Sequence, residues 1–372
     1  MRGAKAWVLA AAATVAVAGC ASPGGAAQAG LSPAQLAAGA DHACVVGGRP
    51  PVAWGRLANP VLAYPDAGVK DQALVWAGGR WHMLFSYVTR DVPTPGGEHW
   101  SIAGATSADL SRWSAPSAWP DQPGTVGVAS PDVVRSPRGG FVATYASVPG
   151  EAGGAQSKLY YRTSPDLVHW SGPHRLMGDL HRAPADRLID PALAWTGNGL
   201  ILGYKYGPPT SQARFEVAWS QSGSLDGPWR LVGQPAVTVE GGTIENYEFV
   251  WLAGGWHLVA TSNNLDQPWV FRLQGDPRRP ASWLSWAGGR QLAIPYQAWD
   301  RAPGLSGVTY EHANSVFVCD ARSADGYYYA TYAGSDELVH FGGWGHAKIG
   351  LARSSDLVHW QVPPERAATG GG

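Results

Sequence analysis

The chain has 372 residues, a formal net charge of −1 and 15% charged side chains, which leaves no electrostatic footprint for nucleic acid. Three cysteines exclude a disulfide-dense scaffold and a thiolate metal site, and no apolar run beyond the first twenty residues approaches membrane length. Gly 49, Pro 29 and Trp 19 point instead to many turns and many aromatic strands, an all-β composition.

In chain order, residues 1–20 open with Arg2 and Lys5, continue as AWVLAAAATVAVA and end in Gly19-Cys20. A positive start and an apolar middle of that length read as a secretory signal peptide. AVAGC resembles a bacterial lipobox, which would make Cys20 the lipidated first residue of an exported protein, either held at the cell membrane by that anchor alone or extracellular. Residues 21–40 are Ala/Gly/Pro-rich and nearly uncharged, a flexible tether; LSPAQLAAGA within it carries a weak helical pattern. The folded body is expected over 41–364, followed by a disordered tail at 365–372. With lipid on Cys20, an oxidising compartment leaves Cys44 and Cys319 as one disulfide pair; two unpaired buried thiols are the alternative.

The body repeats itself. A Ser-x-Asp-Leu-x-x-Trp phrase ends at Trp113, Trp170 and Trp360, with degenerate copies ending at Trp229 and Trp286. A second phrase, an acidic residue followed by two apolar runs flanking a Gly-containing turn, starts at Asp71, Asp132, Asp190 and Glu245, and again without the acid at Asn314. Two apolar runs about such a turn are a hairpin. Four short strands recurring every 40–60 residues or so predict the blades of a propeller. Five units make five blades, and a Cys44–Cys319 bridge would fasten the start of the ring to its last blade.

The innermost strand of a blade lines the central channel, so the second phrase is expected to bring Asp71, Asp132, Asp190 and Glu245 from equivalent positions to one pit. Crowded carboxylates push their proton affinities apart. Glycoside hydrolysis uses that division, one carboxylate activating water while a protonated carboxyl serves the leaving oxygen. An Asp before a strand is also an ordinary turn residue, and repeats repeat their turns.

The phrases SPDVV, IDPALAW, EHANSVF and SPDLVHW, with GVKDQALVWAGGRWHMLFS in the first unit, resemble the five-bladed β-propeller glycosidases of glycoside hydrolase families 43 and 62 over nearly the whole mature chain. The resemblance implies an inverting hydrolase, of α-L-arabinofuranosidase or β-xylosidase type, acting on arabinose- or xylose-containing polysaccharides. It implies Asp71 as base, Asp190 as the residue tuning the acid, and Glu245 as the acid, with Asp132 an auxiliary site residue. His312 matches a histidine near the channel centre that in some members lies beside a calcium or water cluster; no cofactor is expected to be required. Two departures stand out: Gln72 follows the first acid where Pro is usual, and Glu245 is followed by Asn246-Tyr247-Glu248, so that a one-residue shift would promote Glu248. Asn246 and Glu248 are expected to contact substrate.

Trp81, Trp100, Trp256, Tyr87 and Trp344 are candidates for stacking on sugar rings, whereas the repeated Trp113, Trp170, Trp229, Trp286 and Trp360 read as packing between blades. His82, His257, His169 and His359 recur at fixed repeat positions, and no histidine spacing resembles a zinc site. A monomer binding a polysaccharide or oligosaccharide is expected. A carbohydrate-binding propeller that has lost catalysis is the second reading of the same residues.

Overall fold

A computed structural model describes residues 31–90, 97–147, 156–207, 213–239, 242–263, 266–303, 309–337 and 346–366. The signal peptide, Cys20 and Trp344 lie outside the described residues. Five four-stranded antiparallel sheets follow one another in order along the chain, each a simple meander. Blade one comprises β1 (Ala67–Ala77), β2 (Arg80–Arg90), β3 (Glu98–Ser107) and β4 (Ser117–Ala118). Blade two comprises β5 (Val128–Arg135), β6 (Phe141–Ser147), β7 (Leu159–Ser164) and β8 (His174–Arg175). Blade three comprises β9 (Arg187–Trp195), β10 (Leu200–Gly207), β11 (Arg214–Ser220) and β12 (Trp229–Gly233). Blade four comprises β13 (Ile244–Leu252), β14 (Gly255–Ser262), β15 (Pro268–Leu273) and β16 (Trp286–Gln291). A small ribbon of β17 (Arg301–Pro303) and β18 (Thr309–Glu311) leads into blade five, β19 (Asn314–Asp320), β20 (Tyr328–Gly334), β21 (Lys348–Ser354) and β22 (Trp360–Gln361).

The inner strands β1, β5, β9, β13 and β19 touch in that order, and β19 touches β1 again, so the ring is closed. Being covered on both faces, they read as nearly unbroken buried runs, as in LIDPALAW of β9, while outer strands such as β15 alternate with exposed positions. Gly78-Gly79, both at positive φ, make the two-residue turn of the first hairpin. Apolar clusters fill the wedges between blades. In the wedge of blades three and four, Phe249, Trp256, Trp283 and Trp286 meet at centroid distances of 4.7–5.8 Å, Phe249 and Trp286 stacked and the other pairs edge-on or tilted. Trp229 and Trp360 are buried in such clusters, and Trp113, Trp170 and Trp286 pack against their edges, as the repeat pattern implied.

Residues 31–40 are not a tether. Ser32 and Gln35 form a capping box on the helix α1 (Pro33–Ala37), whose Leu36 is buried against blades two and three. The following residues run across one mouth of the channel. Asp41 accepts a 2.8 Å hydrogen bond from the Trp195 amide of blade three, and His42 meets Trp256 of blade four edge-on. Cys44 is bonded to Cys319 on β19 with Cα atoms 5.5 Å apart, and the Cys44 carbonyl accepts from the Trp76 amide of blade one. This segment is the channel floor. The tail also begins later than expected: the Glu365 carboxylate caps the Ala298 and Trp299 amides and the Arg366 amide donates to Asn59, while 367–372 lie outside the described residues.

Candidate active site

Each inner strand slips register once, at the same place: between Lys70 and Ala73, Ala129 and Asp132, Ile189 and Ala192, Glu245 and Glu248, and Asn314 and Phe317. The slip is a β-bulge, and its first residue is left-handed in every blade: Asp71, Ser130, Asp190, Asn246 and Ser315, with φ between 51° and 56°. Non-glycine residues avoid this region unless their surroundings hold them there. Here the surroundings are the neighbouring blades. The Ser130 amide donates to Ser86 Oγ of blade one, the Asn246 amide to Asp190 of blade three, and the Ser315 amide to Thr261 Oγ1 of blade four. Gln72, which takes the place of the usual Pro, donates 2.7 Å to the Ser315 carbonyl. The bulge residues line one central pit, with a cavity of about 40 Å³, together with Gln72, Pro131, Asp132, Pro191, Tyr247, Glu248, Val316 and Phe317.

This register corrects the equivalence read from the repeats. Asp71 and Asp190 are true counterparts, but Asp132 lies two residues beyond the bulge position and Glu245 one residue before it. Asn246 occupies the position at which Asp71 and Asp190 stand. The repeat pattern could not reveal this, because the turns after the inner strands differ in length, two residues after Ala77 and five after Arg135, so that counting back from the turn glycine misses the bulge.

Asp71 is embedded in donors. Ser86 Oγ lies 2.7 Å from Oδ2, Ser315 Oγ 2.7 Å from Oδ1, Asn246 Nδ2 3.2 Å from Oδ1, and the Lys70 ammonium 3.9 Å away. Asp190 is buried, and its partner is the Asn246 amide at 3.3 Å. Burial raises its proton affinity above the ordinary aspartate value; Lys205 opposes the rise, while repulsion from Glu245 and Asp71 adds to it. Those couplings put the three acids named from the sequence around one site. Glu245 stands at the rim with its side chain 25% exposed, ion-paired to Lys205 Nζ at 2.5 Å. The Asn263 amide, turned with its nitrogen toward Glu245, reaches the two carboxylate oxygens at 2.6 and 3.0 Å.

Asp132 and Glu248 form a deeper layer. Each gives one oxygen to an amide of the next blade, Asp132 to Leu193 at 3.1 Å and Glu248 to Val318 at 2.8 Å. They line the lower pit, and their bonds make them clasps between blades. Below them lie Asp41 and His42, the latter pushed down to about 3 by burial. His312 is buried beside the pit, bound through Nδ1 to Asp266 Oδ2 at 2.8 Å; Asp266 also takes Asn314 Nδ2 at 2.7 Å, and Ser315 Oγ contacts Asn314 on its way to Asp71. The loop after β14, which contributes Asn263 and Asp266, therefore borders the active mouth. No group of three or more His, Cys, Asp or Glu among the described residues could hold a metal ion.

Trp81 is fully buried against Trp76 and cannot meet a sugar, and Trp256 is likewise core. Alternation along β2 sends Trp81 into the wedge. Trp100 sits at the mouth of blade one, partly exposed, its Nε1 on Glu98 and the Lys70 ammonium 5.8 Å over its ring. Lys70, Ser86, Lys205, Asn263, Asp266 and Ser315 escaped the sequence reading. Only the bulge register, invisible in one sequence, would have singled out Ser315.

No protein-family model and no curated protein matches the sequence. Solved structures do. The chain is similar to an α-L-arabinofuranosidase from Lactobacillus brevis at TM-score 0.58 and 13% identity, over 85% of this chain and 100% of that one. It is similar to an α-L-arabinofuranosidase from Podospora anserina, solved in complex with cellotriose, at TM-score 0.52 and 14% identity over 82% and 96%. A thermostable family-43 glycoside hydrolase gives TM-score 0.55 and 14% identity over 85% and 98%. The five-bladed β-propeller implied by the sequence phrases is therefore the fold of this chain, shared with these glycoside hydrolases at identities that speak to fold alone.

Proposed function

We propose that the protein is a glycoside hydrolase that breaks glycosidic bonds over the central pit. The observation that carries this reading is the pairing of a well-donated Asp71 with a buried Asp190, whose proton affinity burial raises, at matching bulges of a pit closed from below. In the reaction, a water oxygen bonds to the anomeric carbon as the bond to the leaving oxygen breaks. Asp71 accepts the water proton, and a protonated carboxyl from the Asp190–Glu245 pair gives its proton to the leaving oxygen. The sequence resemblance gives Glu245 that last role and Asp190 the tuning of it. The same resemblance, and the arabinofuranosidases among the similar structures, support arabinose- or xylose-bearing glycans as substrates and inversion at the anomeric carbon. Trp100 at the mouth is positioned to flank a sugar. The reading includes export and anchoring through lipid on Cys20, which mass spectrometry of the mature N-terminus tests.

Asp71→Asn keeps the shape and most hydrogen bonds of the site while removing the base. On arabinan, arabinoxylan and aryl glycosides it should lower turnover by at least about 10²-fold, with thermal unfolding and glycan binding retained. Full hydrolysis by this variant would overturn the assignment. Asn246, standing where the bulge would present a third acid, favours the second reading, a glycan-binding propeller without turnover. Saturable binding by the parent chain with no sugar released across the same panel would establish that reading instead.

A further inference from the structure

The two oxygens of Asp71 are bonded unequally. Oδ1 accepts from Ser315 Oγ at 2.7 Å and Asn246 Nδ2 at 3.2 Å, with the Lys70 ammonium 3.9 Å away. Oδ2 accepts, among the described residues, from Ser86 Oγ alone, at 2.7 Å. A carboxylate oxygen has two lone pairs, so Oδ2 keeps one for a further partner. Ser86 is fully buried on β2, and its hydroxyl oxygen also accepts the Ser130 amide of blade two at 2.8 Å. That amide can only donate, so the Ser86 hydrogen is committed to Asp71. The Ser315 hydrogen is not, since it lies between Asp71 Oδ1 and Asn314 Oδ1. The other blades show what the Ser86 position does without an acid to serve. The residue paired with the one before each bulge is Ser86, Ala146, Lys205, Thr261 and Ala333 in blades one to five. Two blades have alanine there, so closing the ring needs no hydroxyl at this position. Thr261 accepts the Ser315 amide of the next blade at 3.0 Å, as Ser86 accepts that of Ser130. Ser86 is the one of the five that also hydrogen-bonds the acid of its own bulge.

Resting on the hydrolase reading, we propose that Ser86 is a positioning residue that selects Asp71 Oδ2 as the oxygen taking the proton from water and tunes its basicity through a relay from the Ser130 amide of blade two. The relay runs from amide to hydroxyl to carboxylate, and a hydroxyl that accepts one hydrogen bond donates the next more strongly. It fixes the direction of the remaining Oδ2 lone pair, and a bond donated to a carboxylate favours the ionised form. In the step itself, the water proton passes to Oδ2 while the water oxygen bonds to the anomeric carbon. The bond to the leaving oxygen breaks, and that oxygen takes the proton of the acid in the Asp190–Glu245 pair. Exchange with solvent restores both carboxyls. The other charged or titratable groups around Asp71 are Lys70 on β1, Asp132 on β5, Asp190 on β9, Lys205 on β10, and Glu245 and Glu248 on β13. Asp266 and His312 stand further out, reached through Ser315 and Asn314.

The test compares Ser86→Thr with Ser86→Val in the full chain, two side chains of one shape that differ in the hydroxyl. Thr261, at the matching position of blade four, shows that this strand position takes a threonine. Ser86→Val should lower kcat on aryl glycosides by about tenfold or more and change KM by less than about twofold. It should also move the acidic limb of the kcat/KM profile up by about one pH unit, because the carboxylate has lost a donor that favoured its ionised form. Ser86→Thr should return kcat and the limb to the parent values. A role confined to joining blades one and two would lower Tm in Ser86→Val and leave the limb in place. That result, or a Ser86→Thr chain that follows Ser86→Val, overturns the proposal while the hydrolase reading stands. No sugar released from any substrate by the parent chain sinks the hydrolase reading itself. Carbon-13 NMR of the aspartate-labelled chain, with the Asp71 carboxyl signal assigned by its loss in Asp71→Asn, then judges Ser86 separately. The titration midpoint of that signal must rise in Ser86→Val and return in Ser86→Thr, and one midpoint common to parent and variants overturns the relay.

Discussion

Asp132 hands one oxygen to the Leu193 amide of the next blade and is otherwise enclosed in the lower channel. Burial pushes it up to about 7, against the lowering effect of the Leu193 and Val133 amides. The folded chain therefore keeps a proton on Asp132 between about pH 4 and 7 that the unfolded chain has released, and stability falls as pH rises through that window. Glu248 and Asp41, both raised well above the carboxylate range by burial, push the same way, and Asp132 is itself a source of repulsion for each. Asp132→Asn keeps an oxygen for the Leu193 amide and cannot ionise. It should flatten the decline of Tm between pH 4 and 7 and stabilise the chain at pH 8, at about 1.4 kcal/mol for each pH unit of the window removed. An unchanged pH slope in thermal melts of this variant would mean that Asp132 is not the titrating clasp. At this scale the sequence exposed the acids but not their work. Asp132 and Asp71 follow similar phrases, yet one is a clasp beneath the pit and the other faces into it, and two residues of register separate those fates.

The repeated tail phrase is legible at the scale of the element, because its chemistry is local. In SPDLVHW, Ser164 Oγ accepts the Leu167 amide at 2.8 Å and the Asp166 amide at 3.2 Å, while Asp166 Oδ1 accepts the Val168 and His169 amides and Oδ2 meets His169 Nδ1 at 2.7 Å. Ser354 and Asp356 repeat the arrangement down to His359, and Ser107 and Asp109 repeat most of it. Leu110, Leu167 and Leu357 all sit at φ of 64–67° so that each can bury its side chain while the chain reverses. The phrase is a self-capped turn that links the third and fourth strands and delivers its Trp to the wedge between blades, so the histidines within it are structural, as their periodicity suggested. Ser164→Ala would leave the Leu167 amide without its acceptor and should cost about 1–2 kcal/mol of stability, read from urea unfolding at constant m-value. A change below the error of that measurement would show that solvent satisfies the turn. Hairpins and tails, fixed by residues within seven positions of one another, were readable. The bulges, fixed by acceptors on the neighbouring blade such as Ser86 and Thr261, were not.

For the molecule as a whole, the difficulty is closing a ring of five sheets and blocking one end of its channel. The segment from Asp41 to Cys44 does both, touching blades three, four, five and one in turn. Further along, the Val61 amide donates to the Ile349 carbonyl and the Ile349 amide to the Leu62 carbonyl, while the Asn59 side chain pairs with both backbone groups of Leu351. The start of the body is thereby laid against blade five before β1 begins. The ring does not depend on the disulfide alone, but Cys44–Cys319 joins residues 275 apart, and a loop that long is costly to close in the unfolded chain. Replacing both cysteines with serine should lower stability by roughly 2–5 kcal/mol and lower Tm with it. Because Asp41 and His42 sit next to the lost anchor, and the Trp195 and Trp76 amides donate to this segment, their exchange should accelerate more than exchange in the β6–β7 pair. The count of the cysteines and the export expected from the sequence made the pairing foreseeable, whereas the floor did not announce itself, since small residues such as Ala40 and Ala43 carry no pattern. If both amides keep their protection in the double serine variant, Asp41 holds the floor without help from the bridge, and the closed lower end of the pit is a property of the propeller ring itself.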